Sequence, residues 1–304
     1  MASGAGARAL AMGSSFTAVA GDVTAVYWNP AALAAVEGLQ LHVMHSERFA
    51  GTVNSDFIAA SSMVPGRSRH VFALSYFRLG VDGIPLTRLQ NPDLPLGTIY
   101  TDTEGKTVIN DPYVYKKIDN VDNCLVMSYA AYISDHIAVG GSAKIIRKTA
   151  EITGAWGIGF DAGLLYTAGS SFSAGLLLKD ATTTSIAWTG SVRESVLPTV
   201  TAGLAYHFRT GLFAVLTTAD GSMNIENRDA VSQISWGRAG FTFRGGCEVT
   251  YDGKVSFRAG INHDHLTAGA GFSFSNVTID YGFSPHSALG NTHRLSAVIR
   301  LRSN

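Results

Sequence analysis

The feature that most constrains this chain is an alternation of apolar and polar residues that runs through its last fifty positions. Between Val255 and Ile261 every second residue is apolar, and the residues between them are polar or small. The same pattern returns in three later segments, 266–274, 277–283 and 295–301. A period of two is that of β-strands with one apolar and one polar face. Consecutive strands of this kind, joined by short turns, predict either a β-sandwich or a β-barrel.

Strand length separates these two folds. Residues 238–251 alternate over fourteen positions, and residues 156–166 and 200–208 form similar stripes. Ordinary strands have about five or six residues, whereas a tilted strand that spans a membrane needs roughly 9–11. The polar faces carry Arg, Lys, Asp and Glu, which are typical of the wet interior of a barrel, and aromatic residues recur near strand ends. The sequence therefore predicts an all-β, transmembrane antiparallel β-barrel.

The connections support this fold. The alternation predicts about fourteen strands, at 39–47, 55–64, 69–79, 121–133, 136–147, 154–167, 170–180, 196–208, 211–219, 238–251, 254–262, 265–274, 276–283 and 292–302. The even-numbered connections are all short turns, whereas four odd-numbered ones are long, at about 80–120, 181–195, 220–237 and 284–291. Short turns at one end and longer loops at the other are typical of bacterial outer-membrane barrels. This order predicts that both termini are periplasmic.

Composition adds little but excludes several classes of protein. The 304 residues carry a formal net charge of +0, which gives no reason to expect a nucleic-acid partner. No run of 18 or more apolar residues occurs, so no transmembrane helix is expected. The chain starts without a signal peptide, so for an exported barrel we expect this sequence to be the processed form.

Three motifs, in the same order, resemble the PorV/PorQ family, which belongs to the larger group of FadL-like outer-membrane proteins. They are GARALAMGSSFTAVAGDVTAVYWNPAALA at Gly6–Ala34, GFDAGLLY at 159–166, and IDYGFSP at 279–285 followed by LGNTHRLS at 289–296. The resemblance covers essentially the whole chain. It implies a barrel of fourteen strands whose N-terminal segment folds inside as a hatch. The expected division is a hatch at 1–36 and a single barrel domain at 37–304.

The hatch motif begins at Trp28. Asn29 before Pro30 predicts the start of a helix, with Asn29 as the N-cap and Pro30 at the first helical position. The resemblance implies that Asn29, Pro30 and Ala31 match the family's Asn-Pro-Ala hatch motif. Many glycines fall on the polar faces of the strands, and a glycine lets another segment approach the wall closely. We therefore expect Trp28 to Ala31 to pack against glycine-rich wall.

Two further groups of residues are candidates for function. The first group should face the lumen, with ion pairing to the hatch and across strands as the favoured role and a substrate path as the alternative: Lys144, Asp161, Arg238, Arg244, Glu248, Arg258 and Asp280. The second group is Tyr100, Tyr113 and Tyr115, in a segment of about forty residues, Val81–Asn120, without predicted regular structure. Loops this long are often functional, and aromatic residues are common at binding hot spots. A partner contact and a cap that seals the barrel are equally compatible with this segment.

No constellation of catalytic residues is present, so we expect no enzyme activity and no cofactor. The segment His263-Asp264-His265 is expected to be a hairpin turn and not a metal site, because adjacent residues of a strand point in opposite directions.

Two functions follow from the predicted barrel in the lipid bilayer of the outer membrane. The PorV/PorQ resemblance implies a link to type IX protein secretion, with a translocon and exported cargo as partners. The wider FadL-like resemblance implies passive transport of a hydrophobic small molecule, in which the hatch moves to open a lateral route. The PorV/PorQ resemblance favours the first, and the shared hatch motif keeps the second as the alternative.

Overall fold

The computed structural model describes residues 4–67, 69–151, 153–190, 193–224, 233–236, 239–263, 265–285 and 290–301. Its main feature is an antiparallel sheet that closes on itself, because the first strand pairs with both the second strand and the last. The strands are β1 Leu39–Arg48, β2 Val53–Met63, β3 His70–Leu89, β4 Ile99–Thr101, β5 Thr107–Ile109, β6 Pro112–Tyr132, β7 Ile137–Ala150, β8 Thr153–Ala168, β9 Phe172–Lys179, β10 Thr184–Trp188, β11 Arg193–Val196, β12 Thr199–Thr210, β13 Phe213–Asn224, β14 Ile234–Trp236, β15 Ala239–Tyr251, β16 Val255–Asn262, β17 His265–Phe274, β18 Val277–Ser284 and β19 Thr292–Leu301.

Fourteen strands encircle the barrel, as predicted. The strands β10, β11 and β14 are short extensions of this wall: β10 pairs with β8 and β11, and β14 pairs with the start of β15. The strands β4 and β5 form a separate two-stranded sheet. Leu39 pairs with Leu301, so the chain enters and leaves the barrel wall at the same end, which is also the end of the short turns.

Inward and outward residues alternate along the strands. On β8, Trp156 and Ile158 are each 59% exposed, whereas Ala155 and Leu165 are buried. Leu204 on β12 is exposed in the same way, as are Ile58 on β2 and Ile279 on β18. The outer surface is thus an apolar band around the barrel, as the period of two predicts.

The prediction for Val81–Asn120 is wrong. The strand β3 continues to Leu89 and β6 begins at Pro112, so these two strands stay paired beyond the barrel, with register shifts after Val81 and Leu86. A hairpin that projects from the barrel is wet on both faces. It therefore lacks the apolar stripe by which the wall strands were recognised.

The N-terminal segment, residues 4–36, lies inside the barrel and is almost entirely buried. It contains the helices α1 Ala7–Ala11 and α2 Ala25–Trp28 and a 3-10 helix at Pro30–Ala35. The helix α1 packs against β16–β19, and the 3-10 helix packs against β3 and β6–β8. The segment therefore crosses the lumen. None of the helices in the described ranges is long and apolar enough to cross a membrane.

Candidate functional site

The N-terminal segment lies directly against glycine residues of the barrel wall. A Cβ atom at Gly140 would lie 2.5 Å from the backbone nitrogen of Ala31, and one at Gly282 would lie 2.6 Å from the carbonyl oxygen of Ala7. A Cβ atom at Gly163 would collide with the side chain of Asn29. Because real Cβ atoms do not approach other heavy atoms this closely, only glycine permits the segment to lie so near the wall.

Asn29 fixes the turn that carries the predicted hatch motif. Its side-chain oxygen accepts a hydrogen bond from the backbone nitrogen of Ala31 at 3.1 Å, which is the predicted N-cap, and Pro30 opens the 3-10 helix. Its side-chain amide donates to the carbonyl oxygens of Thr17 and Leu164, at 2.9 and 3.1 Å. One buried amide therefore links the helix start, a second part of the segment and the wall strand β8.

The neighbouring Trp28 is held within the segment. Its indole nitrogen donates to the carbonyl oxygen of Ala5 at 2.8 Å. The ring packs against Tyr27 and Phe16, with centroid distances of 4.9 and 6.2 Å. We expected Trp28 to pack against glycine-rich wall. In the structure its ring packs against two other rings of the segment.

The inward faces of β1, β2, β3 and β6 form what we call the apolar side of the lumen, where aromatic and aliphatic side chains lie among uncharged polar ones such as Gln40 and His42. Phe57 and Phe77 lie there with ring centroids 6.1 Å apart, and Tyr27 of the N-terminal segment stacks on Phe77 at 6.5 Å. Val26 and Leu33 join the same buried cluster. None of the buried Asp, Glu, Lys and Arg side chains in the described ranges lies on these four strands. Within the described residues, the charged residues predicted for the lumen all lie on other strands, so this side of the lumen is uncharged among its buried residues.

The inward faces of β13 and β15–β19 form the charged side. Arg258 contacts Glu248 at 2.5 Å and Asp280 at 2.8 Å, and all three side chains are buried. Arg8 of the N-terminal segment binds Glu248 through two hydrogen bonds of 2.7 and 2.8 Å, and its guanidinium also lies 3.4 Å from Asp22. Buried charges persist only when they are paired in this way.

The electrostatics of the segment follow from these pairs. Burial raises the pKa of the Asp22 carboxyl, but the charge of Arg8 and hydrogen bonds from Thr24 outweigh burial, so the pKa lies below its ordinary value. Asp22 is therefore held as a carboxylate, as a partner of Arg8 must be.

Backbone groups of the segment are also bound on this side. The carboxylate of Asp220 accepts hydrogen bonds from the backbone nitrogens of Phe16 and Thr17 and from the Thr17 hydroxyl, at 2.9, 3.1 and 2.8 Å. Thr267 bonds to Gly13 and to the carbonyl oxygen of Ala11, each at 3.0 Å. These bonds give wall partners to backbone groups at and after the end of α1.

Two other predicted lumen residues form a separate cluster on the wall. Lys144 contacts Asp161 at 2.7 Å and Asp180 at 2.6 Å. Arg244 is half-buried and bonds to Ser222 on the adjacent strand. Arg238 lies outside the described residues. The structure thus brings Glu248, Arg258 and Asp280 together and keeps Lys144 with Asp161 apart from them.

The three tyrosines proposed for partner binding do not share one loop. Tyr113 and Tyr115 lie on the projecting part of β6, where both are exposed, and Tyr100 lies on β4. The guanidinium of Arg88 lies 4.0 Å from the ring centroid of Tyr115 across the hairpin. Their role as a partner contact stays a prediction.

The sequence-based predictions did not include the charged residues of the N-terminal segment that form ion pairs in the lumen. Arg8 and Asp22 are the charged residues of residues 4–36, and a charged pair in so apolar a stretch was an available signal. Phe57 and Phe77 carried no such signal, because their strands alternate like the others. In the described ranges, no three His, Cys, Asp or Glu side chains are grouped so that they could hold a metal ion.

The whole chain is similar in structure to several solved proteins. The structure is similar to the toluene transporter TbuX of Ralstonia pickettii, with 17% identity, a TM-score of 0.57 and 97% of each chain covered. It is similar to the toluene transporter TodX of Pseudomonas putida, with 15% identity, a TM-score of 0.58 and 97% of each chain covered. It is also similar to a FadL homologue of Pseudomonas aeruginosa, with 12% identity and a TM-score of 0.58, over 98% of this chain and 99% of that one.

These likenesses show the fold, which is that of the FadL-like outer-membrane barrels. No family model and no curated protein matches the sequence. The narrower PorV/PorQ resemblance therefore has no support beyond its motifs, and two of the structures named above are described as toluene transporters.

Proposed function

We propose that this chain is an outer-membrane channel for the passive transport of small hydrophobic molecules, with residues 1–36 as its hatch and residues 37–304 as its barrel. The observation that carries the proposal is the apolar side of the lumen, where Phe57 and Phe77 face the segment. The interior of a water-filled porin is polar, whereas an apolar wall favours an apolar solute over water.

One further observation supports this function over secretion, and another supports the membrane location that both functions share. The fold is shared with transporters whose names specify toluene. The exposed apolar residues of the outer face, such as Ile158 and Leu204, form the band that a bilayer requires. A translocon or exported cargo has no corresponding support in the comparisons.

We base the proposed orientation on the connections. We place the end of the short turns, where Leu39 and Leu301 pair, in the periplasm, and the projecting hairpin outside. Single cysteines at Thr103 and Lys254, in separate proteins, can be labelled on whole cells with an impermeant reagent. Labelling at Thr103 alone is expected, and labelling at Lys254 alone would invert the orientation.

Transport is tested in intact Gram-negative cells, since their outer leaflet is the barrier that such a channel bypasses. Cells with the full chain should take up labelled toluene faster than cells with the empty vector, without a matching rise in sucrose uptake. Equal gains for toluene and sucrose would indicate an ordinary porin. No gain for toluene would contradict the proposal.

Hatch movement is tested with a reversible cross-link. Thr17 and Asp220 are in contact, so cysteines at both positions should form a disulfide that ties the segment to β13. The matched control is a pair of cysteines at Thr201 and Ser222, whose hydroxyl oxygens lie 2.9 Å apart within the wall. Oxidation should lower toluene uptake in the first protein only, and reduction should restore it. Unchanged uptake in the oxidised first protein would contradict movement of this part of the hatch.

A further inference from the structure

A cavity of about 300 Å³ lies at the short-turn end of the barrel, beside the N-terminal segment. One wall is the segment itself at Ala18–Ala20, and another is the turn from Gly169 to Ser171 between β8 and β9. The strands β12 and β13 complete it through Ala205, His207 and Leu216. We call this cavity the exit pocket. Its volume is at the lower end of the range that small-molecule sites occupy.

The chemistry of the exit pocket is apolar at its base and polar at its rim. Val19, Ala205 and Leu216 form the base and belong to one buried apolar cluster. The rim carries the imidazole of His207 and the hydroxyl of Ser171, which can donate or accept a hydrogen bond.

Arg8 also borders the exit pocket, but it brings no unmatched charge. Its guanidinium is bound by Glu248 at 2.7 Å and lies 3.4 Å from Asp22. An anion in the pocket would meet a cation that two carboxylates already neutralise, and it would lose its own hydration. The pocket therefore favours a neutral molecule over an anion.

A chain of aromatic rings joins this base to the apolar side of the lumen. Phe16 belongs to the cluster at the base of the pocket and lies 6.2 Å from Trp28, centroid to centroid. Trp28 lies 4.9 Å from Tyr27, and Tyr27 lies 6.5 Å from Phe77 on the wall. Aromatic surfaces therefore run from the apolar wall, through the N-terminal segment, to the exit pocket.

We propose that the exit pocket is a binding site for a small neutral aromatic molecule with one hydrogen-bonding group, such as a phenol. The ring would rest on Val19 and Leu216, and its polar group would bond to His207 or Ser171. This inference rests on the proposed transport function. It adds a site at which the molecule is held after it has passed the N-terminal segment and before it leaves at the short-turn end.

The test uses the purified full chain in detergent and measures binding of phenol, toluene and benzoate by saturation-transfer NMR. Phenol should bind saturably and at least ten-fold more tightly than benzoate. Toluene should bind more weakly than phenol, because it lacks a hydrogen-bonding group. Binding of benzoate as tight as that of phenol would overturn the assignment of a neutral ligand.

Variants locate the site. Ser171→Phe should fill the exit pocket and reduce phenol affinity at least ten-fold, whereas Thr210→Phe, at the exposed end of β12 outside the lining, should leave it unchanged. His207→Ala should bring the affinities of phenol and toluene together. Phenol affinity that is unchanged in Ser171→Phe, or equally reduced in Thr210→Phe, would overturn the site.

The two proposals fail separately. If the cells take up toluene but Ser171→Phe binds phenol like the unaltered chain, the exit pocket is wrong and the transport function stands. If uptake does not rise but phenol binds saturably and Ser171→Phe abolishes it, the site stands and the transport function is wrong.

Discussion

The two sides of the lumen hold the same N-terminal segment by different forces. On the apolar side, Val26 and Leu33 pack among buried wall residues, and contact area and volume provide the stabilisation. On the charged side, Arg8 is bound by Glu248, and Asp220 binds two backbone nitrogens of the segment. The first attachment depends mainly on packing, with Gln40 of β1 adding one hydrogen bond to Gly21 and one from Val23, each at 3.2 Å. The second depends on charge and hydrogen-bond geometry.

This difference lies only in the interior. The outer faces of both sides are apolar, with Ile58 and Ile279 exposed alike. The segment matches the wall in chain order, because its charged residue Arg8 lies on the charged side and its apolar residues near Leu33 lie on the apolar side. The two sides should therefore respond to different perturbations.

The largest effect is expected from Arg258→Met on the charged side. Arg258 pairs with the buried carboxylates of both Glu248 and Asp280, and this change removes it. Breaking a buried ion pair lowers the free energy of unfolding by about 3–5 kcal/mol. The matched control is Lys116→Met in an exposed pair with Glu151, which should cost about 0–1 kcal/mol. Denaturant unfolding in detergent measures both, and equal losses would contradict the role of burial.

On the apolar side, loss of volume should matter instead of loss of charge. Phe57→Ala removes a ring that is 2% exposed, and such changes cost about 3–5 kcal/mol. Phe57→Leu retains most of the volume and should cost less. The unfolding midpoints of the two variants test the comparison, and a larger loss for Phe57→Leu would contradict it.

The outer faces should not distinguish the two sides. An Arg on the lipid face costs about 2–4 kcal/mol near the midplane of the bilayer. Ile58→Arg, next to the apolar side, and Ile279→Arg, next to the charged side, should therefore lose similar amounts of stability in lipid. If both replacements prove harmless, or if the unaltered chain is soluble as a monomer without detergent, the membrane assignment is wrong.

Asn29 lies where the N-terminal segment turns towards the apolar side. Asn29→Ala removes the cap and the bonds to Thr17 and Leu164, and loss of such a cap costs about 0.5–2 kcal/mol. Asn29→Asp keeps the cap acceptor but turns a carboxylate oxygen towards the carbonyl oxygens of Thr17 and Leu164 in a buried site, so it should cost at least as much as Asn29→Ala. Stability of Asn29→Ala equal to that of the unaltered chain would show that the cap contributes nothing.

The smallest effect is a dependence on pH that belongs to the charged attachment. The pKa of Asp22 in the folded protein lies below its ordinary value of 3.8, so its stabilisation is fully present above that pH and is lost as the pH falls through the folded value. Between about pH 5 and pH 2, Asp22→Asn should lose less stability than the unaltered chain. Asp93→Asn, at an exposed site, should behave like the unaltered chain.

Much of the wall was predictable from alternation alone. The strand predicted at 265–274 is β17 with the same bounds, and that predicted at 254–262 differs from β16 by one residue. Asn29 and Pro30 begin a helix as predicted, because capping depends on neighbouring residues. The sequence did not predict the projecting hairpin. Both of its faces are exposed to water, so its residues do not alternate between apolar and polar.

The period of two, the strand lengths and the parity of the turns are local properties of the chain, and together they specify a transmembrane barrel. Which inward residues meet depends on the tertiary structure. Glu248, Arg258 and Arg8 become neighbours, as do Phe57, Phe77 and Tyr27, because barrel closure and the path of the N-terminal segment join residues distant in the chain. The alternation assigns a side chain to the inside but carries no information about its partner there, and those partners make one side of the lumen apolar and the other charged.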